Sequence, residues 1–325
     1  MRTSRSTRRI LIVGFGDIGE RVAKYLRAAQ GVSLSALVRN VDAARHAKSL
    51  GVRTFRGDLS RPRSLQQLAG AADVIFHFAP PPAEGVRDLH TRNLLAALSL
   101  PAQRKSMRAG MLSQPSPRGI QAMPQRLVYI STTGVYGDCG GEWIDETREL
   151  NPQTDRARRR VDAERSLRMW GRRNRVAVSV LRAPGIYAAE RLPLERLRKG
   201  TPALRAEDDV FTNHIHADDL ARAAIAAMRR GKPGRIYNAV DDSAMTMGAY
   251  FDCVAEAHGL RPPPRISRAQ AKATLSPALV SFMSESRRIR NVRLKRELRF
   301  VFRYAAVEDF LLEISVSSMK QADTA

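Results

Sequence analysis

Cysteine is scarce in this chain of 325 residues, long apolar runs are missing, and acidic residues are outnumbered. Cys139 and Cys253 are the two thiols, too few for a disulfide framework and without a nearby Cys or His at zinc-ligand spacing. A reducing, cytoplasmic setting is the expectation. No stretch approaches the roughly eighteen consecutive apolar residues of a membrane span, so no membrane partner is expected. Ile10 to Val13 opens like a secretory signal, but Gly14, Gly16, Asp17 and Glu20 interrupt it too early, which leaves a short basic tail followed by a strand. Against 55 Lys and Arg stand 32 Asp and Glu, a formal charge of +23. Such a field attracts polyanions without naming one. The arginines run through nearly every segment and no sequence-reading motif accompanies them. Nucleic-acid binding through Arg287 to Arg299 and the segment 101–124 is therefore the lowest-ranked reading.

What is present is ordinary globular material, with 43% hydrophobic and 27% charged residues. Short apolar runs alternate with helix-period segments, the pattern of parallel strands joined by helical crossovers. Strands are predicted at 10–13, 34–38, 52–55, 74–78, 127–130 and 176–181, with helices at 18–29, 84–98 and 155–170 between them. The fold expectation is α/β, a Rossmann-type doubly wound parallel sheet with a smaller C-terminal α/β substrate lobe. Domain boundaries follow: a basic tail over 1–8, a dinucleotide-binding domain over 9–182, an interleaved smaller lobe over 183–316, and a tail over 317–325. The smaller lobe is expected to hold a strand at 210–215, a helix at 218–230, a strand at 235–238 and a rigid connector at Pro262 to Pro264. Residues 101–124, rich in Pro, Arg and Lys and without periodicity, read as a mobile surface insertion.

Gly14-Phe15-Gly16-Asp17-Ile18-Gly19 lies between a predicted strand and a predicted helix, the context in which G-x-G-x-x-G carries meaning. The first glycine permits a tight turn, the second lets backbone approach a pyrophosphate, and the third lets helix meet sheet, while the helix N-terminus supplies amides and positive potential. Twenty residues on, an NAD site usually offers an acid to the ribose; here the second strand ends Val38-Arg39-Asn40. Arg39 suits a 2′-phosphate, so NADP is the preferred cofactor and NAD the alternative; an exposed arginine in an Arg-rich chain is the bland reading. Gly57-Asp58-Leu59 after the third strand places Asp58 near the adenine, or makes it a turn carboxylate.

Read in series, the glycine loop, Gly57-Asp58-Leu59, Phe76-His77-Phe78-Ala79, Ser131 to Gly137, Arg182 to Tyr187 and Asn213 to Asp219 resemble the extended or atypical short-chain dehydrogenase/reductase superfamily, its epimerase/dehydratase-like branch, over roughly residues 9–315. The resemblance implies cofactor contacts from the loop, Asp58, Leu59, Phe78 and Ala79, and a substrate-orienting hydroxyl at Thr132. It also implies a Tyr and a Lys four apart on the helix after the fifth strand, with a Glu four further on. Anchored on Glu164, those positions hold Arg156 and Arg160. No Tyr lies between Gly137 and Ile186 and no Lys between Ser106 and Arg198. A guanidinium, with its pKa above about 12, cannot exchange protons near neutrality as a phenol beside an ammonium can.

Arg156 and Arg160 instead form a like-charged i, i+4 pair that an anionic substrate would relieve, or that solvent alone screens. Thr132, Tyr136 and Arg160 are the catalytic candidates, with Tyr136 either a surrogate acid or a packing residue. Of His216, Asp218 and Asp219, either Asp218 or Asp219 is read as the cap of the following helix, in preference to a metal cluster of the three, and His77 as a buried imidazole or a functional one. The expectation is an NAD(P)-binding oxidoreductase or epimerase-like enzyme acting on a hydroxyl or carbonyl of a small, anionic substrate, with pairing to a second copy as in many relatives. The alternative is a non-catalytic dinucleotide-sensing or interaction protein.

Overall fold

The computed structural model describes residues 7–101 and 123–322. The expected insertion at 101–124 thus falls almost wholly outside the described residues. The chain forms β1 (Arg8–Val13), α1 (Asp17–Arg27), β2 (Val32–Val38), α2 (Val41–Ser49), β3 (Arg53–Arg56), β4 (Val74–His77), α3 (Leu89–Leu98), β5 (Arg126–Thr132), β6 (Trp143–Ile144), α4 (Asp155–Asn174) and β7 (Ala177–Ala183). It continues through β8 (Gly185–Tyr187), α5 (Leu194–Arg198), β9 (Ala203–Leu204), β10 (His214–His216), α6 (Ala217–Arg230), β11 (Arg235–Asn238), α7 (Met247–Ala257), β12 (Arg265–Ile266), α8 (Arg268–Thr274), α9 (Pro277–Phe282), β13 (Arg288–Ile289), α10 (Val292–Leu298) and α11 (Val307–Ala322).

Seven strands make the main sheet in the order β11-β7-β5-β4-β1-β2-β3. β1 runs parallel to both β2 and β4, with β3 parallel to β2 and β5 parallel to β4. Strands covered on both faces must be apolar along their length rather than alternating, and Ile10 to Val13 have no exposed surface at all. α1 buries Ile18, Gly19, Val22, Ala23 and Leu26, one stripe at helical spacing. Arg182, Tyr129 and Tyr136 are among the largest fully buried side chains, so burial here reaches well beyond aliphatic residues.

Two expectations need correction. The helix placed at 84–98 begins at Leu89, because the Asp88 carboxylate accepts the Thr91 amide at 2.9 Å as its N-cap and Gly85 turns the chain with φ +76°. The strand placed at 210–215 shrinks to His214–His216; Phe211 makes an isolated bridge to Thr246 instead.

The chain divides into two compact units, the first comprising Met1–Ser131, Thr154–Leu181 and Ala224–Ile236, the second Thr132–Gln153, Arg182–Ala223 and Tyr237–Ala325. The first is built on the sheet, with Leu11, Val13, Ile75, Leu94, Leu127, Leu167 and Val180 in its core. The second has its own aromatic-rich core of Tyr187, Tyr250, Phe251, Tyr304 and Phe310. It also holds three two-stranded pairings: β8 with β10, β9 with β12 and β6 with β13.

Candidate functional site

The strand order reverses between β1 and β4, since β2 and β3 lie to one side of β1 and β5, β7 and β11 beyond β4. In such sheets the crevice outside the carboxyl ends of the two central strands is where ligands bind. Gly14 leaves β1 there and Phe78-Ala79 leave β4; the Val13 carbonyl accepts from both the Phe78 and Ala79 amides, at 2.7 and 3.0 Å.

The three glycines have different reasons to be glycine. At Gly14, φ is +92° and a Cβ would sit 2.3 Å from the Ala79 nitrogen, so both backbone angle and space forbid a side chain. At Gly19 a Cβ would meet the Gly14 carbonyl oxygen at 2.9 Å and Ile12 Cγ2 at 3.2 Å, so the helix could not come this close to the loop. At Gly16 a Cβ would meet nothing within 4 Å. Its backbone is ordinary, with φ −107°, and it is the N-cap of α1 without any capping side chain. The open side of Gly16, above an uncapped helix N-terminus, leaves room for a group that accepts amide hydrogen bonds and carries negative charge. Arg21 neutralises the Asp17 carboxylate at 2.6 Å. These residues fit a dinucleotide's diphosphate. Phe15 is half-buried and Ile18 packs into the core beneath.

Arg39 is exposed at the end of β2. The Ser60 amide, bonded to Asp58 at 2.8 Å, holds that carboxyl below its usual range, with further help from Arg39 and Arg61. Asp58 is thus a turn carboxylate that also lies in the field of Arg39. Leu59 is buried and its carbonyl accepts from Asn93 Nδ2 at 2.8 Å.

Thr154 caps α4 by accepting the Ala157 amide at 3.2 Å, and three arginines follow at 156, 159 and 160. Arg160 is 8% exposed; its Nη1 donates to Tyr129 Oη at 2.8 Å and to the Ile130 carbonyl at 3.0 Å. Arg159 is equally buried and donates to the Gly85 carbonyl. The Nε atoms of both have no hydrogen-bond partner among the described residues. Arg156 is exposed; desolvation and the neighbouring Arg160 and Arg159 make its positive charge less favourable. Glu164, one turn on, accepts from Ser131 Oγ at 2.6 Å.

Behind these residues runs a polar chain that sequence reading did not find. His77, fully buried, lies 2.8 Å from Thr91 Oγ1, which donates to Asp88 Oδ2 at 2.9 Å. Burial pushes the His77 pKa down to about 3, with Arg160 and His90 adding to the effect. The ring is therefore neutral, and its Nε2–H is the donor to Thr91. In the sequence His77 reads as a buried imidazole or a functional one, and Asp88, three residues before Thr91, is the mark of its partners.

Thr132 and Tyr136 belong to the second unit. Thr132 Oγ1 accepts the Gly134 amide at 3.2 Å, which leaves its proton available to another acceptor. Tyr136 is 1% exposed, donates to Asn238 Oδ1 at 2.7 Å and lies under the Arg182 guanidinium at 4.7 Å. Burial raises its pKa to about 12. Asn238 is itself held by Glu146, which accepts its amide at 2.9 Å. Asp219, one of the two carboxylates expected to cap the helix, accepts the amides of Arg303 and Tyr304, each at 2.9 Å, and pairs with Arg222 at 2.6 Å. No group of three or more His, Cys, Asp or Glu able to hold a metal occurs among the described residues. Nor, among those residues, is any helix long and apolar enough to cross a membrane.

In sum, within the first unit the fold brings the glycine loop together with Phe78 and Ala79, Arg39 with Asp58, and Arg156 with Arg159 and Arg160. A ketoreductase of Stigmatella aurantiaca, 4-hydroxy-2-methyl-3-oxo-4-farnesyl-3,4-dihydroquinoline-1-oxide ketoreductase, is 24% identical over 76% of this chain and 72% of its own length. The structure of a conserved protein of unknown function from Silicibacter pomeroyi superposes with a TM-score of 0.73 at 26% identity, covering 96% of this chain and 99% of that one. The structure of UDP-glucuronic acid 4-epimerase from Bacillus cereus in complex with NAD gives 0.67 at 15% identity, covering 94% and 99%. The sequence model of the NAD dependent epimerase/dehydratase family matches residues 10–239. The chain belongs to the NAD-dependent epimerase/dehydratase family.

Proposed function

We propose that this protein is an NADP-preferring oxidoreductase that acts on a carbonyl or hydroxyl group of a small, anionic substrate. The carrying observation is the glycine cradle: Gly14 and Gly19 are closed to any side chain while Gly16 opens on clear space at the start of α1. Residues 14–19 hold the diphosphate through main-chain amides, and Arg39 receives the 2′-phosphate by a charge-assisted contact. When bound, the nicotinamide supplies or accepts a hydride, the chemistry a ketoreductase relative is named for. Thr132 orients the substrate oxygen with the proton its cap bond leaves available. Arg156, charged and exposed at the head of α4, attracts the substrate's negative group. Arg160 is a positioning residue, since its guanidinium is occupied by Tyr129 and Ile130.

The guanidinium chemistry of these two positions favours a second reading, a non-catalytic dinucleotide-binding protein, because neither Arg156 nor Arg160 can donate and recover a proton near neutral pH. Thermal denaturation separates the cofactor assignment. NADPH should stabilise the protein more than NADH, and Arg39→Ala should narrow the difference; equal shifts in the original protein would remove the NADP preference. Consumption of NADPH in the presence of small keto acids tests for an enzyme, and binding without turnover across such a panel supports the second reading.

A further inference from the structure

At the end of the sheet opposite the glycine loop, where α4 finishes and β7 begins, a cavity of about 430 Å³ is lined by Arg168, Arg172 and Arg175. We infer that this cavity is a second anion site, which takes a linear oligophosphate either free or as the phosphate chain of a nucleotide. Its floor is apolar, formed by Val176, Val178 and Pro233. The floor is fixed by the backbone: the Gly234 amide donates to the Val178 carbonyl at 2.7 Å and the Val176 amide to the Gly171 carbonyl at 2.9 Å. Gly171 lets helix and strand meet, because a Cβ there would lie 2.5 Å from Val178 Cγ2.

The electrostatics are one-sided. No carboxylate lines the cavity, and among the described residues none of the three arginines has a salt bridge or side-chain hydrogen bond. The undescribed segment 102–122 contains neither Asp nor Glu, so it brings no counter-charge wherever it lies. Cations do belong at a helix C-terminus, but the macrodipole there is worth about half a negative charge, against three guanidinium groups. Most of the positive charge is left over for a ligand.

Arg175 adds an independent mark. It closes α4 in the left-handed conformation with φ 57°, one of two non-glycine residues with positive φ among the described residues. Glycine or asparagine is the usual residue at such a position, so the sequence keeps a guanidinium at the rim where the backbone would prefer none. The planar forks of three arginines suit successive phosphoryl groups, and the volume lies within the range of small-molecule sites.

The test is calorimetric titration of the full chain with inorganic tripolyphosphate, ATP and a duplex oligonucleotide at constant ionic strength. The comparison variant combines Arg168→Gln, Arg172→Gln and Arg175→Gly, the last of which suits the left-handed backbone. Saturable tripolyphosphate binding, weakened at least tenfold in this variant and unchanged in Gly16→Val, supports the inference. Tighter binding of ATP would assign the apolar floor to a nucleotide, and equal binding a free phosphate chain. Should the triple variant fail to fold, Arg172→Gln alone should weaken binding about threefold or more. No binding, binding insensitive to these substitutions, binding lost in Gly16→Val, or binding of the duplex without tripolyphosphate would each overturn it.

Discussion

The Arg160 guanidinium donates to the buried Tyr129 hydroxyl at 2.8 Å, so the helix position where relatives of this superfamily are expected to carry lysine is here tied to the strand beneath it. Burial raises the Tyr129 pKa above its usual value, so the group that accepts this bond is a neutral hydroxyl. Arg160→Lys keeps the charge, but its shorter side chain withdraws the donor from the place where the single Nη1 serves both Tyr129 and Ile130. Leaving buried groups without partners should cost about 1–3 kcal/mol. Urea unfolding of Arg160→Lys, Tyr129→Phe and the double variant checks this, and the double should lie well short of the sum of the singles.

Tyr136 should behave as an anchor. With its hydroxyl bonded to Asn238 and its pKa raised to about 12 by burial, Tyr136→Phe should reduce stability by about 1 kcal/mol and leave the pH dependence of any turnover unchanged. A loss of turnover beyond a hundredfold at unaltered melting temperature would instead make the phenol the missing acid.

The glycine loop separates folding from binding. Gly14→Ala places a Cβ against the Ala79 backbone at a positive φ and should destabilise the fold by more than about 2 kcal/mol. Gly16→Ala has free space and an ordinary φ, so its melting temperature should stay within a degree or two while NADPH affinity drops about tenfold or more. Thermal melts alongside titrations distinguish the two.

His77 makes stability depend on pH. Its folded pKa, about 3, lies below the unfolded value near 6.5. As pH falls below about 6.5 the unfolded chain takes a proton that the folded chain refuses. This residue's contribution is therefore fully present above pH 6.5 and is lost on acidification, by about 1.4 kcal/mol per pH unit. His77→Gln, which keeps a donor toward Thr91, should flatten the fall in melting temperature between pH 7 and 5.5. An identical slope in both proteins would show that His77 does not titrate as described.

Much of this protein could be read from residue order alone, and the reasons are local. The sheet was legible because strands such as Ile10 to Val13, covered on both faces, have to be continuous apolar runs. The loop was legible because glycine spacing encodes backbone angles and clearances. What escaped depends on contacts distant in sequence: Tyr129 meets Arg160 across 31 residues, Tyr136 meets Asn238 across 102, and Asp219 meets Tyr304 across 85. None of these pairs has a periodicity to betray it. The late start of α3 escaped because an Asp cap can overrule an apparently helical stretch before it.

The most direct test of the account is calorimetric titration of NADPH into the original protein and into Gly16→Val. Saturable NADPH binding in the first, weakened at least tenfold in the second while the melting temperature of the free protein is preserved, is the expected result. No heat from NADPH or NADH in the original protein, or the same heat in both proteins, would contradict the claim that residues 14–19 cradle a dinucleotide's diphosphate.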